Sequence, residues 1–217
     1  SVKSRLLGRI SKVMFSFLDR RVLLNAAGVN VVSEGFLEYF DTHGIDTTKW
    51  SFFPNGVDRE FLDVDLQPIT KQSEIKTVLY AGNIGLTQGL EIMIEVAATF
   101  IDDSNVQFVI VGDGAARPQL EQRATEAELP NVRLLPFQPA HLVSEMYATT
   151  DICIAPLREG FSYDTVPSKI YTAMAAGRPV IASAEDNTET ASLLSESKAG
   201  LCVPPESVAT LADEIRA

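Results

Sequence analysis

Cysteine, histidine and tryptophan are scarce in this 217-residue chain: two, two and one. Two cysteines cannot build a disulfide framework. Cys153 and Cys202 each lie in an apolar, strand-like run and read as small buried hydrophobes, a pair or a reactive thiol being the lesser reading. His43 and His141 stand apart from carboxylates and cysteines at ligand spacing, so no metal site is expected. Basic residues are outnumbered, 18 against 29 acidic, for a net charge of −11. A surface of that sign repels phosphate backbones, which excludes general nucleic-acid binding. No uncharged apolar run approaches the ~18–20 residues of a membrane-spanning helix. Signal-peptide pattern, internal repeat, Walker sequence and nucleophile elbow are also missing.

What remains is 46% hydrophobic and 22% charged, the composition of a globular protein with a sizeable core. The charge is uneven. Lys3, Arg5, Arg9, Lys12, Arg20 and Arg21 against Asp19 give residues 1–21 a net +5, leaving −16 for the rest. Leu6, Leu7, Ile10, Val13, Met14, Phe17 and Leu18 recur there at helical spacing, which predicts a basic amphipathic helix. The chain opens and closes inside helical patterns, so it reads as a piece of a longer protein.

A strand near Val29–Val32, a helix over 34–40 capped by Ser33, and a strand near Trp50–Phe53 precede a turn at Pro54-Asn55-Gly56. That turn is taken as a boundary between residues 1–54 and 55–217. Beyond it six apolar runs alternate with helical patterns: 77–80, 106–111, 132–135, 152–155, 179–182 and 200–203. Helices are expected near 88–101, 115–128, 140–148, 168–176 and 187–195, with a last one from about Glu206. Continuous apolar runs such as Phe108-Val109-Ile110-Val111 mark strands covered on both faces. The pattern predicts an α/β, doubly wound, mostly parallel six-stranded Rossmann-like sheet.

Ligands of such sheets bind at the carboxyl ends of the strands, where three loops carry chemistry. Gly82 and Gly85, with Asn83 and Gln88, follow the first strand of the sheet and allow the backbone to approach an anion; a bare tight turn is the alternative. Gly112 and Gly114 follow the second, but Arg117 stands where a dinucleotide fingerprint needs a small residue, and the next strand ends without a carboxylate. NAD is therefore disfavoured, and Asp113 as a helix cap is the bland reading. Ser168 follows Pro167 and opens a helix, which makes it the expected N-cap. With Lys169 beside it, that helix start forms an anion site. Arg158 and Lys169 are the only Lys or Arg between Arg133 and Arg178. Glu159 and Asp164 can accept hydrogen bonds from sugar hydroxyls.

Four stretches carry a resemblance through their order and spacing: Phe53-Pro54-Asn55-Gly56-Val57-Asp58, Tyr80-Ala81-Gly82, Val111-Gly112-Asp113-Gly114 and Thr172-Ala173-Met174-Ala175-Ala176-Gly177-Arg178-Pro179-Val180-Ile181. From about Val31 onward the chain resembles the donor-binding half of the retaining GT-B glycosyltransferases of the large sucrose-synthase-like family (glycosyltransferase group 1). The resemblance implies that residues 1–54 are the tail of an acceptor domain and 55–217 a nucleotide-sugar-binding domain. It implies Gly82, Asn83, Gly85, Gln88, Gly112 and Gly114 around the phosphates, with Ser168 and Lys169 meeting the pyrophosphate. Pro136 and Phe137 would contact the base and Thr172 the ribose, while Glu159 or Asp164 would lie near the transferred sugar, with Lys169 acting in catalysis.

The implied reaction moves a sugar from a nucleotide diphosphate, a UDP-sugar in the first instance, to an acceptor hydroxyl with retention. The acceptor would be a carbohydrate or lipid-linked saccharide held through the missing domain. No cofactor beyond the donor and no metal are implied. The setting would be bacterial surface-polysaccharide or glycolipid synthesis in the cytoplasm, and the piece alone would not turn over. The basic helix at 1–21 fits a rest on the anionic inner membrane face, a helix packed on the missing domain with its basic face solvated being the alternative.

Three departures mark this chain. Asn83 and Gln88 stand where the family commonly has Arg and Lys. Thr172 replaces the second of two glutamates, and counting back the family interval reaches Asp164 rather than Glu159. Asn83, Gln88 and the Pro167-Ser168-Lys169 stretch resemble a subgroup that transfers amino or deoxy sugars in bacterial surface-polysaccharide assembly. A nucleotide-sugar epimerase or oxidoreductase, and an inactive scaffolding domain of the same fold, are the rival readings.

Overall fold

The computed structural model describes residues 17–18, 20–59, 74–161 and 166–217. The chain divides into two compact units, Ser1–Pro54 and Asn55–Ala217.

In the first unit a helix, α1, covers residues 17–18 and 20–25; most of the predicted basic amphipathic helix lies outside the described residues. Phe17, Leu18, Val22 and Leu24 are exposed. Two short parallel strands follow, β1 (Asn30–Val31) and β2 (Ser51–Phe52), around helix α2 (Gly35–Thr42). Glu34, not Ser33, holds the cap position of α2, and the Ser33 carbonyl accepts from Phe36 N–H. A ring cluster of Tyr39, Phe40, His43 and Trp50 ties the helix to the segment before β2.

The second unit is a six-stranded parallel sheet. Its strands are β3 (Lys76–Ala81), β4 (Val106–Val111), β5 (Val132–Leu135), β6 (Ile152–Pro156), β7 (Val180–Ser183) and β8 (Gly200–Val203). The spatial order is β5-β4-β3-β6-β7-β8. Helices α3 (Glu91–Ala98), α4 (Arg117–Glu126), α5 (Ala140–Ala148), α6 (Ser168–Ala175), α7 (Glu189–Ser197) and α8 (Val208–Arg216) alternate with the strands. This is the doubly wound sheet that the apolar runs predict.

Alternate residues of each strand enter different cores. Val78, Tyr80, Phe108 and Ile110 pack with residues of α3, α4 and α8. Leu79, Val109, Val111, Cys153 and Ala155 pack with residues of α6 and α7. Both faces are dry, which is why the strands carry no polar alternation. Burial pushes the Cys153 thiol up to about 12 and the Cys202 thiol to about 11, which disfavours the thiolate form of both free cysteines.

The strand order reverses between β3 and β6, and there the ladder is short. β3 pairs with β4 over six positions but with β6 only at Val78–Ile152 and Leu79–Cys153. The loops after β3 and β6 therefore leave in opposite directions, opening a crevice at the switch point.

Candidate functional site

A cleft of about 560 Å³ lies at the carboxyl ends of the strands of the second unit. Gly82, Asn83 and Gln88 line it from the loop after β3, Phe137 from the loop after β5, and Ser168, Lys169 and Thr172 from the start of α6. The elements that bring them together are the three loops singled out by sequence, with α5 contributing Met146 and Tyr147 to an apolar wall.

Lys169 is the charge at the centre. Its Nζ donates to Gln88 Oε1 at 2.8 Å and to the Tyr80 hydroxyl at 3.2 Å, and it sits 4.5 Å from the Tyr80 ring centroid. No carboxylate pairs with it among the described residues. Burial lowers its pKa to about 8, because an ammonium withdrawn from water loses hydration that neutral partners only partly replace. The first turn of α6 adds the positive end of the helix dipole.

The glycine loops have two distinct jobs. Gly82 (φ +148°) leaves space for the lysine: a Cβ there would stand 3.1 Å from Lys169 Cε. Its N–H is used by the Val111 carbonyl at 2.9 Å, and that of Ile84 by the Asp113 carbonyl at 2.8 Å. Gly112 and Gly114 do not line the cleft. They bring the loop after β4 against the loop after β3, since Cβ atoms there would run into the carbonyl oxygens of Gly82 and Ile84. Gly85 lies beside the Asn83 side chain, 2.8 Å from where a Cβ would be placed.

Several expectations change. Ser168 is the first residue of α6, not its cap; Pro167 occupies the cap position and its carbonyl accepts from Ile170 N–H at 3.0 Å. Asp113 accepts from Gly114 N–H, while Ala116 precedes α4. Arg158 is no free anion-binding cation: it donates to Glu91 Oε1 and to the Leu86 carbonyl, each at 2.7 Å, fastening the loop after β6 to the start of α3. Arg117 donates to the carbonyls of Gly112 and Leu135, so the residue that breaks the dinucleotide fingerprint satisfies backbone at the ends of β4 and β5. Glu159 is exposed and off the cleft, as is Pro136, while Phe137 lines the cleft with 59% of its surface exposed. Asp164 lies outside the described residues.

Tyr80 is the residue behind the cleft that sequence reasoning passes over. In a strand it reads as one more core aromatic, and only the close approach of Lys169 reveals the role of its hydroxyl. Asn55 and Asp58, from the turn that opens this unit, also line the cleft. Among the described residues no group of three or more His, Cys, Asp or Glu comes together.

The family model described as glycosyl transferases group 1 matches residues 75–217. The chain belongs to that family. It is 30% identical over 219 residues to a protein of Escherichia coli K12 named as a colanic acid biosynthesis glycosyl transferase, WcaI, covering 96% of this chain and 53% of that protein. Among solved structures it is similar to a sucrose-phosphate synthase of Thermosynechococcus elongatus, with TM-score 0.74, 24% identity, and coverage of 92% of this chain and 51% of the other. It is also similar to HepE of Anabaena, solved with UDP and glucose, with TM-score 0.71, 21% identity and coverage of 90% and 54%. The chain thus has the fold of the C-terminal half of a GT-B protein, and it spans about half the length of the curated relatives it matches.

Proposed function

We propose that the cleft binds the diphosphate of a nucleotide-sugar donor, a UDP-sugar in the first instance. In the whole protein the sugar then passes, with retention, to an acceptor hydroxyl. The observation that carries this reading is a partly buried ammonium, Lys169, facing a cleft at a helix start with no carboxylate partner among the described residues. A charge kept in that state is costly unless an anion completes it. Two negative phosphates supply that anion, and the diphosphate that leaves gains charge as the glycosidic bond breaks. Lys169 and the α6 terminus would stabilise that developing charge electrostatically.

Phe137 offers an exposed ring for the base, and Thr172 offers a hydroxyl where the family glutamate meets the ribose. The carboxylate that the family resemblance sets beside the sugar would be Asp164, which lies outside the described residues, since Glu159 lies off the cleft. The family match and the UDP bound in the HepE structure support this arrangement. The acceptor, a carbohydrate or lipid-linked saccharide of bacterial surface-polysaccharide or glycolipid synthesis, belongs to the rest of the protein. Residues 1–54 form the tail of that acceptor domain, and the 217-residue chain binds donor without turning it over. The basic residues within 1–21 rest on the anionic inner face of the plasma membrane, with the enzyme otherwise in the cytoplasm.

Calorimetric titration with UDP, GDP, ADP and NAD, repeated on Lys169→Ala, tests the donor site. Binding of one nucleoside diphosphate, weakened by the substitution, is the expected result. Binding of NAD alone, or of nothing, would overturn it. For the membrane contact, vesicle co-sedimentation of the whole protein should fall when Arg5, Arg9 and Lys12 are reversed in charge; unchanged binding would end that idea.

A further inference from the structure

Lys169 is held by neutral groups alone among the described residues: an amide oxygen, a phenol and an aromatic face. The phenol has one proton, and Tyr80 donates it to the Asn83 carbonyl at 2.6 Å. Its lone pairs are therefore left to accept from Lys169. Tyr80 is fully buried and does not line the cleft, so it stands behind the lysine rather than against a ligand. Gln88 reaches the same ammonium from the other side, with its Oε1 also within 3.5 Å of the phenol oxygen.

We propose that Tyr80 and Gln88 are positioning residues, a neutral clamp that aims the Lys169 ammonium into the cleft while leaving its charge uncancelled for an incoming diphosphate. The inference rests on the donor reading above. A carboxylate in the place of Gln88 would hold the lysine equally well, but it would form an internal ion pair that a diphosphate must displace. An amide and a phenol supply direction through their dipoles and add no opposing charge. Burial drives the Tyr80 phenol far above its ordinary range, so it stays neutral wherever the protein is folded. Gly82 completes the arrangement, since the lysine stem passes only 3.1 Å from where its Cβ would be.

The decisive variant is Gln88→Glu, which changes charge and little else. The 217-residue chain is titrated by calorimetry with inorganic pyrophosphate, UDP, GDP and ADP, and the Lys169 Cε signal is followed against pH in lysine-labelled protein. Gln88→Glu should raise the Lys169 titration midpoint and weaken pyrophosphate binding about tenfold or more, as a charge-assisted contact is diverted. Tyr80→Phe keeps the ring and removes the hydroxyl; it should weaken the same binding about tenfold at unchanged far-UV circular dichroism. Lys169→Met is the reference for complete loss.

If Lys169→Met abolishes binding while Gln88→Glu and Tyr80→Phe leave both affinity and midpoint unchanged, the clamp is wrong and the donor reading stands. If Lys169→Met leaves binding intact, or the unsubstituted chain binds none of the four probes, the donor reading fails and takes the clamp with it. Should Tyr80→Phe not fold, Gln88→Glu decides alone, because Gln88 sits on a half-buried loop.

Discussion

At the residue scale, Lys169 is a charge maintained against the preference of its surroundings. Its pKa of about 8 in the folded protein lies below the ordinary 10.5, so between those values the unfolded chain holds the extra proton. Stability therefore rises with pH through that window on account of this residue, and below pH 8 the charged lysine costs stability. Lys169→Met should make the protein more stable by about 0.5–2 kcal/mol at neutral pH, as other substitutions that relieve a functional site do. The same variant should lose about 2–5 kcal/mol of nucleoside diphosphate binding. A lower melting temperature would instead mark the lysine as a structural tie. A diphosphate favours the charged form, so affinity should fall as pH rises past about 8, and binding there should take up a proton. Calorimetry in two buffers of different ionisation heat measures that uptake directly.

At the scale of elements, the contact between the loops after β3 and β4 is the feature most sensitive to a single methyl. Gly112→Ala drives a Cβ into the Gly82 carbonyl at a backbone torsion of φ +149°, and should cost about 2–4 kcal/mol in denaturant unfolding. Gly160→Ala has φ +80° but open space around it, so only the torsional cost of about 1–2 kcal/mol should appear. The strands of this sheet were legible because burial on both faces writes them as unbroken apolar runs. β4, β5 and β8 have the predicted ends. Helix starts were less legible, since a cap is decided by backbone torsion and not by residue type alone: Ser33 and Ser168 both look like caps, and neither holds the cap position. Thr188 does, accepting from Ala191 N–H. At the site, Lys169 could be read from its place after Val-Pro-Ser. The partners of Arg158 and the hydroxyl of Tyr80 could not, because Glu91 and Lys169 lie 67 and 89 positions away.

At the scale of the molecule, the two compact units differ in how much they bury. Among its described residues the first unit has only Val31 and Ile45 as buried apolar side chains, whereas the second has a core on each face of its sheet. Heat unfolding of the second unit should respond to ligand. A nucleoside diphosphate at a hundredfold excess over its dissociation constant adds about 2.7 kcal/mol, or a rise of roughly 5–10 °C for a domain of this size. Pyrophosphate, lacking a base, should give a smaller rise at equal concentration, and an equal rise would show that Phe137 contributes nothing. The lack of a carboxylate beside Lys169 among the described residues has one more consequence, in turnover. Under the donor reading, the spent nucleotide keeps both phosphates and carries more negative charge than the donor that delivered them. The used-up nucleotide should therefore compete with fresh donor and bind the more tightly of the two, so that product builds up as its own inhibitor. Progress curves of the whole protein that straighten when the product nucleotide is enzymatically removed would show this, and curves indifferent to that removal would refute it.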